Sequence, residues 1–129
     1  MYSEIFLVDD EELVNTINKF QLKRLGFDKE VTSYINPEQA WEALRSKQDT
    51  HQKILILLDI NMPEMSGFEF LDLVVRHEFP ESLEVVIVTS SESQSDRDRA
   101  LTYKRYVKDF IPKPLSFERL RDFMVHNNG

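Results

Sequence analysis

The stretch KILILLDINMPEMSG, residues 53–67, decides the fold. It contains an uninterrupted apolar run, Ile54–Leu58, which is typical of a central parallel strand covered by helices on both faces. The chain then turns polar at Asp59, and Pro63 and Gly67 predict a shaped loop, since proline fixes φ and glycine allows a positive φ. A carboxylate at the carboxyl end of a buried parallel strand lies where open α/β sheets bind their ligands. Asp59 is therefore the centre of the predicted functional site.

The composition excludes several classes of protein. A length of 129 residues predicts a single domain over residues 1–129. Cysteine is absent, which excludes disulfides and thiolate metal sites. No apolar run is long enough to span a membrane and no export signal is visible, so we expect a cytoplasmic protein without a membrane partner. The formal net charge of −7 disfavours nucleic acid as a partner.

Four more runs predict strands, and helical patterns lie between them. The predicted strands are residues 4–8, 31–35, 54–58, 85–88 and 107–111. Strands that alternate with helices at this spacing predict an α/β fold, in which helices cover both faces of a parallel sheet through right-handed crossovers. For five strands we favour the flavodoxin-like order 2-1-3-4-5, a doubly wound (βα)5 sandwich. This order brings the carboxyl ends of the first and third strands together.

The predicted helices differ in how firmly they should be anchored. In the first helix, one apolar stripe is predicted to face the core: Leu13, Val14, Ile17, Phe20 and Leu25. The fourth helix, residues 92–105, is almost entirely polar. Its apolar anchors are Ala100, Leu101 and Tyr103. We therefore expect the fourth helix to shift or fray more easily than the others.

The strand order places acidic side chains at one edge of the sheet. Asp9 and Asp10 end the first strand and Asp59 ends the third, so their carboxylates should lie close together. Two unit charges about 4 Å apart repel by about 4 kcal/mol at an effective dielectric of 20, so either their pKa values rise or a cation binds. Oxygen ligands alone favour Mg²⁺. Thr89 and Lys113, after the fourth and fifth strands, complete a socket for a phosphoryl group on Asp59.

The residues also resemble a known family. The segments IFLVDDEE, LLDINMPEMSGFEFL, VIVTSS and FIPKPL match, in order, the receiver domain of bacterial two-component response regulators, and they span essentially the whole chain. The resemblance implies that Asp59 accepts a phosphoryl group from a histidine kinase or a histidine phosphotransfer protein in a Mg²⁺-dependent step. It further implies a protein that catalyses only its own phosphorylation and dephosphorylation. We expect either a receiver of the single-domain type, without an output domain, that acts by docking or as an intermediate in a phosphorelay, or a piece of a larger protein.

The resemblance implies a role for each matching position. The expected metal ligands are Asp9 (mainly through water), Asp10, Asp59 and the backbone carbonyl of Asn61. Thr89 and Lys113 are expected to hold the phosphoryl oxygens. Phe110 is expected to be an aromatic switch coupled to Thr89, and the peptide bond before Pro114 is expected to be cis.

The expected output surface is built from the fourth helix, the fifth strand and the fifth helix. An unidentified downstream protein, or a second copy that forms a homodimer, is expected to dock there. Tyr106 and Val107 stand where the family commonly has Gly-Ala, which changes how the fourth helix ends. The family tunes the lifetime of the phosphoryl group through the residues matching Asn61 and Ser91, so no lifetime follows from the sequence.

Three other functions fit the pattern less well. A phosphatase of the haloacid-dehalogenase kind also uses an aspartate nucleophile with Mg²⁺, but it needs a second Asp where Asn61 stands. A phosphorylation-independent binding module with a receiver fold would have a degenerate pocket, whereas every acidic position is present here. The phosphatase and the binding module stay as alternatives. A dinucleotide-binding fold is weaker still, because no GxGxxG motif is present.

Overall fold

A sheet of five parallel strands forms the centre of the computed structural model, which describes residues 2–128 and the side chains of residues 2–126. The strands are β1 (Glu4–Val8), β2 (Glu30–Tyr34), β3 (Ile54–Leu58), β4 (Leu83–Thr89) and β5 (Val107–Pro112). Their order is β2-β1-β3-β4-β5, and every neighbouring pair is parallel. The predicted fold class and strand order are confirmed.

Helices follow the strands in strict alternation. They are α1 (Glu12–Arg24), α2 (Pro37–Arg45), α3 (Gly67–Arg76), α4 (Gln94–Leu101) and α5 (Phe117–Asn128), with a short 3₁₀ turn at Gln48–Thr50. Side chains cap the first turns of α2 and α3: the Asn36 side chain accepts a hydrogen bond from the Glu38 amide at 2.8 Å, and Ser66 and Glu69 form a reciprocal capping box. Within residues 2–128, no helix combines the length and the apolar character needed to cross a membrane.

The core has two layers because side chains alternate between the faces of the sheet. Every residue of β1 and β3 is buried. Phe6, Val8, Ile56 and Leu58 pack with α2 and α3 on one face. Ile5, Leu7, Leu55 and Leu57 pack with α5 and with Leu22 of α1 on the other face. This burial of both faces explains why the two strands are apolar without alternation.

Helix α1 turns its polar side toward the core, and the predicted buried stripe is therefore wrong. Its buried residues are Asn15, Asn18 and Leu22. Of the predicted stripe, two residues are half-buried, Val14 and Leu25, and three are exposed by 70%, 47% and 63%: Leu13, Ile17 and Phe20. The Asn15 amide nitrogen donates to the carbonyl of Asp9 at 2.9 Å and to that of Tyr34 at 3.3 Å. These hydrogen bonds tie α1 to the carboxyl ends of β1 and β2.

Helix α4 is shorter than predicted and is weakly anchored, as predicted. Of its residues only Ala100 is buried. Leu101 is 68% exposed, so its predicted role as an anchor is wrong. Tyr103 is buried just after the helix, and its hydroxyl donates to Oδ1 of Asp72 at 2.5 Å. The helix is thus held at its carboxyl end more than at its amino end.

Tyr106 fills the space between the end of α4 and the segment that leads into β4. Its side chain is fully buried, and its hydroxyl donates to the carbonyl of Phe79 at 2.6 Å. The Tyr106 carbonyl accepts from the Val85 amide at 2.9 Å. The bulky residue at this position is therefore a structural bridge between two connections.

We expect Tyr106→Phe to lower the free energy of unfolding by about 1–3 kcal/mol, because the buried Phe79 carbonyl loses its donor. Urea unfolding measures the change. Tyr34→Phe is the matched control, since the Tyr34 hydroxyl makes no hydrogen bond within the described residues, and it should change stability by less than about 0.5 kcal/mol. Equal losses in the two variants would contradict the role of the hydroxyl.

Candidate functional site

Three carboxylates meet at the carboxyl edge of the sheet. In the β1–β3 register Val8 lies opposite Leu58, so the next residues, Asp9 and Asp59, emerge side by side. One oxygen from each of Asp9, Asp10 and Asp59 lies within 4.8 Å of the others. Asp9 and Asp59 are buried, and Asp10 is half-buried. We call Asp9, Asp10 and Asp59 the carboxylate cup.

Lys113 reaches into the carboxylate cup from the loop after β5. Its Nζ lies 2.7 Å from Oδ2 of Asp9, 3.4 Å from Oδ2 of Asp59 and 3.5 Å from Oε1 of Glu11. Burial alone lowers the pKa of Lys113, but the hydrogen bond to Asp9 and the charges of Asp59, Asp9 and Glu11 raise it overall. Lys113 is therefore a cation that bridges two members of the cup. The Lys113–Pro114 peptide bond is cis.

Ionisation of Asp59 carries an energetic cost. Burial is the largest influence and raises its pKa. The hydrogen bond from the Asn61 amide to Oδ1, at 3.2 Å, and the charge of Lys113 lower the pKa, while the charge of Asp9 raises it. The net direction is upward. A second cation in the cup would relieve this cost.

The donor set fits Mg²⁺. The cluster consists of carboxylates alone, and hard divalent cations prefer oxygen ligands. One lysine compensates one of the three negative charges, so the cup retains an excess of negative charge. The structure thus brings together Asp9, Asp10, Asp59 and Lys113. The backbone N–H of Asn61 also contacts this group, through its hydrogen bond to Asp59.

Thr89 closes the side of the site that faces β4. The residue is fully buried, and its Oγ1 accepts hydrogen bonds from Nδ2 of Asn61 at 3.3 Å and from the backbone N–H of Ser91 at 3.1 Å. The Lys113 amide donates to the carbonyl of Thr89 at 2.9 Å, which joins the ends of β4 and β5. Within the described residues the Thr89 hydroxyl donates no hydrogen bond, so its proton is available to an acceptor in the site.

Phe110 lies on β5 and away from the cup. It pairs with Ile87 in the β4–β5 register, two residues before Thr89. Its ring is half-buried against the core layer that contains α3, and the guanidinium carbon of Arg97 lies 4.9 Å from the ring centroid. The structure therefore places Phe110 beneath α4, where a rotation of its ring would change its contact with that helix.

Two features of the site were missing from the sequence-based prediction. Gly67 is required for close approach and does not have a positive φ: a Cβ there would lie 2.6 Å from the carbonyl oxygen of Asp59 and 2.7 Å from Cα of Ile60. Glu11 contacts Lys113 from the exposed rim. The acidic run that includes Asp9 and Asp10 was the available signal for Glu11, since it continues through that residue.

We expect Asp59→Asn to increase the free energy of unfolding of the metal-free protein at neutral pH. The folded-state pKa of Asp59 is raised, so the stability that this carboxyl contributes is present when it is protonated and is lost as the pH rises through that pKa. The neutral amide avoids this loss, so its advantage should shrink on acidification.

Urea unfolding between about pH 3 and about pH 7 measures the pH dependence of this difference. Asp28→Asn, an exposed aspartate outside the carboxylate cup, is the matched control and should change stability little at either pH. A constant difference between Asp59→Asn and the wild type across this range would contradict the raised pKa.

Comparisons with known proteins agree with this geometry. The family model of the response regulator receiver domain matches residues 5–124. A chemotaxis protein CheY homologue of Campylobacter jejuni is 32% identical, and the alignment covers 98% of this chain and 95% of that protein. The probable methanogenesis regulatory protein FilR2 of Methanothrix harundinacea is 31% identical, with 91% of this chain and 76% of that protein covered.

Solved structures also share the fold. A two-component response regulator from Cytophaga hutchinsonii superposes with a TM-score of 0.82 at 25% identity, and covers 95% of this chain and 94% of its own. The matched residues include parts of all five strands and every residue of the carboxylate cup. This chain belongs to the family of response regulator receiver domains.

Proposed function

We propose that this protein is a phosphoacceptor signalling domain in which Asp59 takes a phosphoryl group from a histidine kinase or a histidine phosphotransfer protein. The observation that carries the proposal is the carboxylate cup, in which Lys113 bridges Asp9 and Asp59 and negative charge remains in excess. Membership of the receiver family supports it. We propose that the protein acts in a cytoplasmic phosphorelay.

The residues of the site suit transfer of a phosphoryl group from phosphohistidine. A carboxylate oxygen of Asp59 forms the new bond to phosphorus while the phosphorus–nitrogen bond breaks, and that electron pair returns to the histidine nitrogen. Mg²⁺ held by Asp9, Asp10, Asp59 and the carbonyl of Asn61 would neutralise charge on the phosphoryl oxygens.

Lys113 and Thr89 supply the remaining contacts to the phosphoryl group. The Lys113 ammonium moves from the carboxylate of Asp59 to a phosphoryl oxygen, and the Thr89 hydroxyl donates its free proton to another. We propose no turnover of a separate substrate, because Asn61 occupies the position where an aspartate-nucleophile phosphatase needs its acid. The chain catalyses only its own phosphorylation and dephosphorylation.

The signal leaves through the surface formed by α4, β5 and α5. The single buried side chain within α4 makes this helix easy to reposition, and Phe110 beneath Arg97 gives β5 a direct contact with it. Phosphorylation adds about −1.5 to −2 charges at the edge of the sheet, and so shifts the population of α4 positions. A downstream protein, or a second copy of the chain, docks on this surface.

The phosphodonor docks on the exposed side of α1. We call Leu13, Ile17 and Phe20 the α1 stripe; their spacing places them on one face of the helix, and all three are exposed. Ile17 and Val14 share a hollow of about 270 Å³ with Lys113 and Pro114, so the α1 stripe is continuous with the site. An exposed apolar stripe on a helix favours a helical partner.

We expect acetyl phosphate with Mg²⁺ to add one phosphoryl group to the wild-type chain and none to Asp59→Ala. A chelator should abolish the addition, because the excess charge of the cup would then repel the donor. Intact-mass analysis measures the product. Asp49→Ala, which removes an exposed aspartate outside the site, should be modified like the wild type.

Two results of this experiment would favour the alternative functions. Catalytic turnover of a phosphomonoester by the wild type would favour a phosphatase. A wild type that takes up no phosphoryl group, and whose binding of a partner is unchanged in Asp59→Asn, would favour a phosphorylation-independent binding module.

We expect Ile17→Glu to reduce transfer from a phosphorylated histidine phosphotransfer domain by at least about tenfold, the effect of removing one apolar anchor from an interface. The rate with acetyl phosphate should not change, since that donor needs no docking surface. Val75→Glu is the matched control, because Val75 of α3 is 48% exposed and Ile17 is 47% exposed. Equal loss with both donors would show that the substitution damages the site itself.

A further inference from the structure

A continuous run of hydrogen bonds leads from the site to the first turn of α4. Thr89 Oγ1 accepts from the backbone N–H of Ser91 at 3.1 Å. The Ser91 hydroxyl then donates to Oδ2 of Asp96 at 2.5 Å, and it accepts from the Ser93 amide at 3.2 Å. Asp96 lies in the first turn of α4, and Ser93 is the N-cap of that helix. The Ser91 hydroxyl thus contacts two residues that position the beginning of α4.

Apart from the contact between Arg97 and the Phe110 ring, the amino end of α4 has few other contacts. The residues of its first turn are exposed except Asp96, which is half-buried. The N-cap itself is one bond, from the Asp96 amide to Oγ of Ser93 at 3.3 Å. The buried anchors, Ala100 and Tyr103, lie at the other end. A change at Ser91 therefore acts on the amino end of α4, which is the more weakly anchored end of the helix.

We propose that Ser91 is the positioning residue that couples the phosphorylation state of Asp59 to the first turn of α4. The inference rests on the proposed function, because it needs a phosphoryl group on Asp59. That group presents only acceptors, so the Thr89 hydroxyl turns to donate to it. The movement weakens the bond from the Ser91 amide to Oγ1 of Thr89. Ser91 then carries the change to Asp96 through its hydroxyl.

The neighbouring serine provides an internal contrast. Ser90 is exposed, and its hydroxyl makes no hydrogen bond within the described residues. Replacing either serine by alanine removes one hydroxyl and leaves the backbone composition unchanged. Only the replacement at position 91 interrupts the run to α4. Ser91→Thr retains a hydroxyl, so it should restore the coupling that Ser91→Ala removes.

Amide hydrogen exchange over residues 92–105, with and without beryllofluoride and Mg²⁺, tests the coupling in the full chain. In the wild type, beryllofluoride should change exchange in the first turn of α4. In unmodified Ser91→Ala the same amides should exchange about fivefold faster, the effect of one lost hydrogen bond, and the response to beryllofluoride should disappear. Ser90→Ala and Ser91→Thr should behave like the wild type. Asp96→Ala should match Ser91→Ala, and the double variant should add nothing further.

Phosphoryl uptake, measured separately by intact mass with acetyl phosphate, distinguishes the two levels of inference. Normal uptake with a wild-type exchange response in Ser91→Ala would overturn the role of Ser91 and leave the proposed function standing. Normal phosphoryl uptake by the wild type, together with hydrogen exchange in α4 that beryllofluoride does not change, would also overturn the role of Ser91 and leave the proposed function standing. Failure of the wild type to take up a phosphoryl group would overturn both.

Discussion

Electrostatic crowding at one edge of the sheet governs the organisation of this molecule. The strand order β2-β1-β3-β4-β5 makes β1 and β3 neighbours, so Asp9 and Asp59 emerge together from two fully buried strands. The apolar walls of those strands keep water away and raise the pKa of Asp59. Lys113, in the loop after β5, partly compensates the negative charge of these carboxylates. The same burial that stabilises the sheet therefore creates a strong demand for positive charge at its end.

The fold and the centre of the site followed from local patterns. An unbroken apolar run that ends in an aspartate, such as Ile54–Leu58 before Asp59, has few structural solutions, and the alternation of strands and helices leaves one dominant sheet order. The gathering of Asp9, Asp10 and Asp59 is a consequence of that order. Positions at strand ends are predictable because topology sets them, whatever the rest of each loop does.

Features that depend on tertiary context did not follow from the sequence. Periodicity shows that Leu13, Ile17 and Phe20 share a face of α1, but it does not show whether that face meets the core. The buried face contains Asn15, whose amide donates to carbonyls at the ends of two strands. Gly67 was expected to provide a positive φ, whereas the actual constraint is the distance to the backbone of Asp59. Both errors concern contacts between different structural elements, which residue type and periodicity do not show.

The inverted α1 separates the residues that stabilise the fold from those available for recognition. Leu13, Ile17 and Phe20 contribute little to the core, so we expect other side chains at these positions to leave the sheet and the carboxylate cup intact. Duplicated copies of such a gene can therefore diverge at this helix without passing through unfolded intermediates. Under the proposed function, a cell that holds many related domains would gain from this arrangement, because substitutions at α1 would separate each copy from the donors of the others and leave the carboxylate cup unchanged.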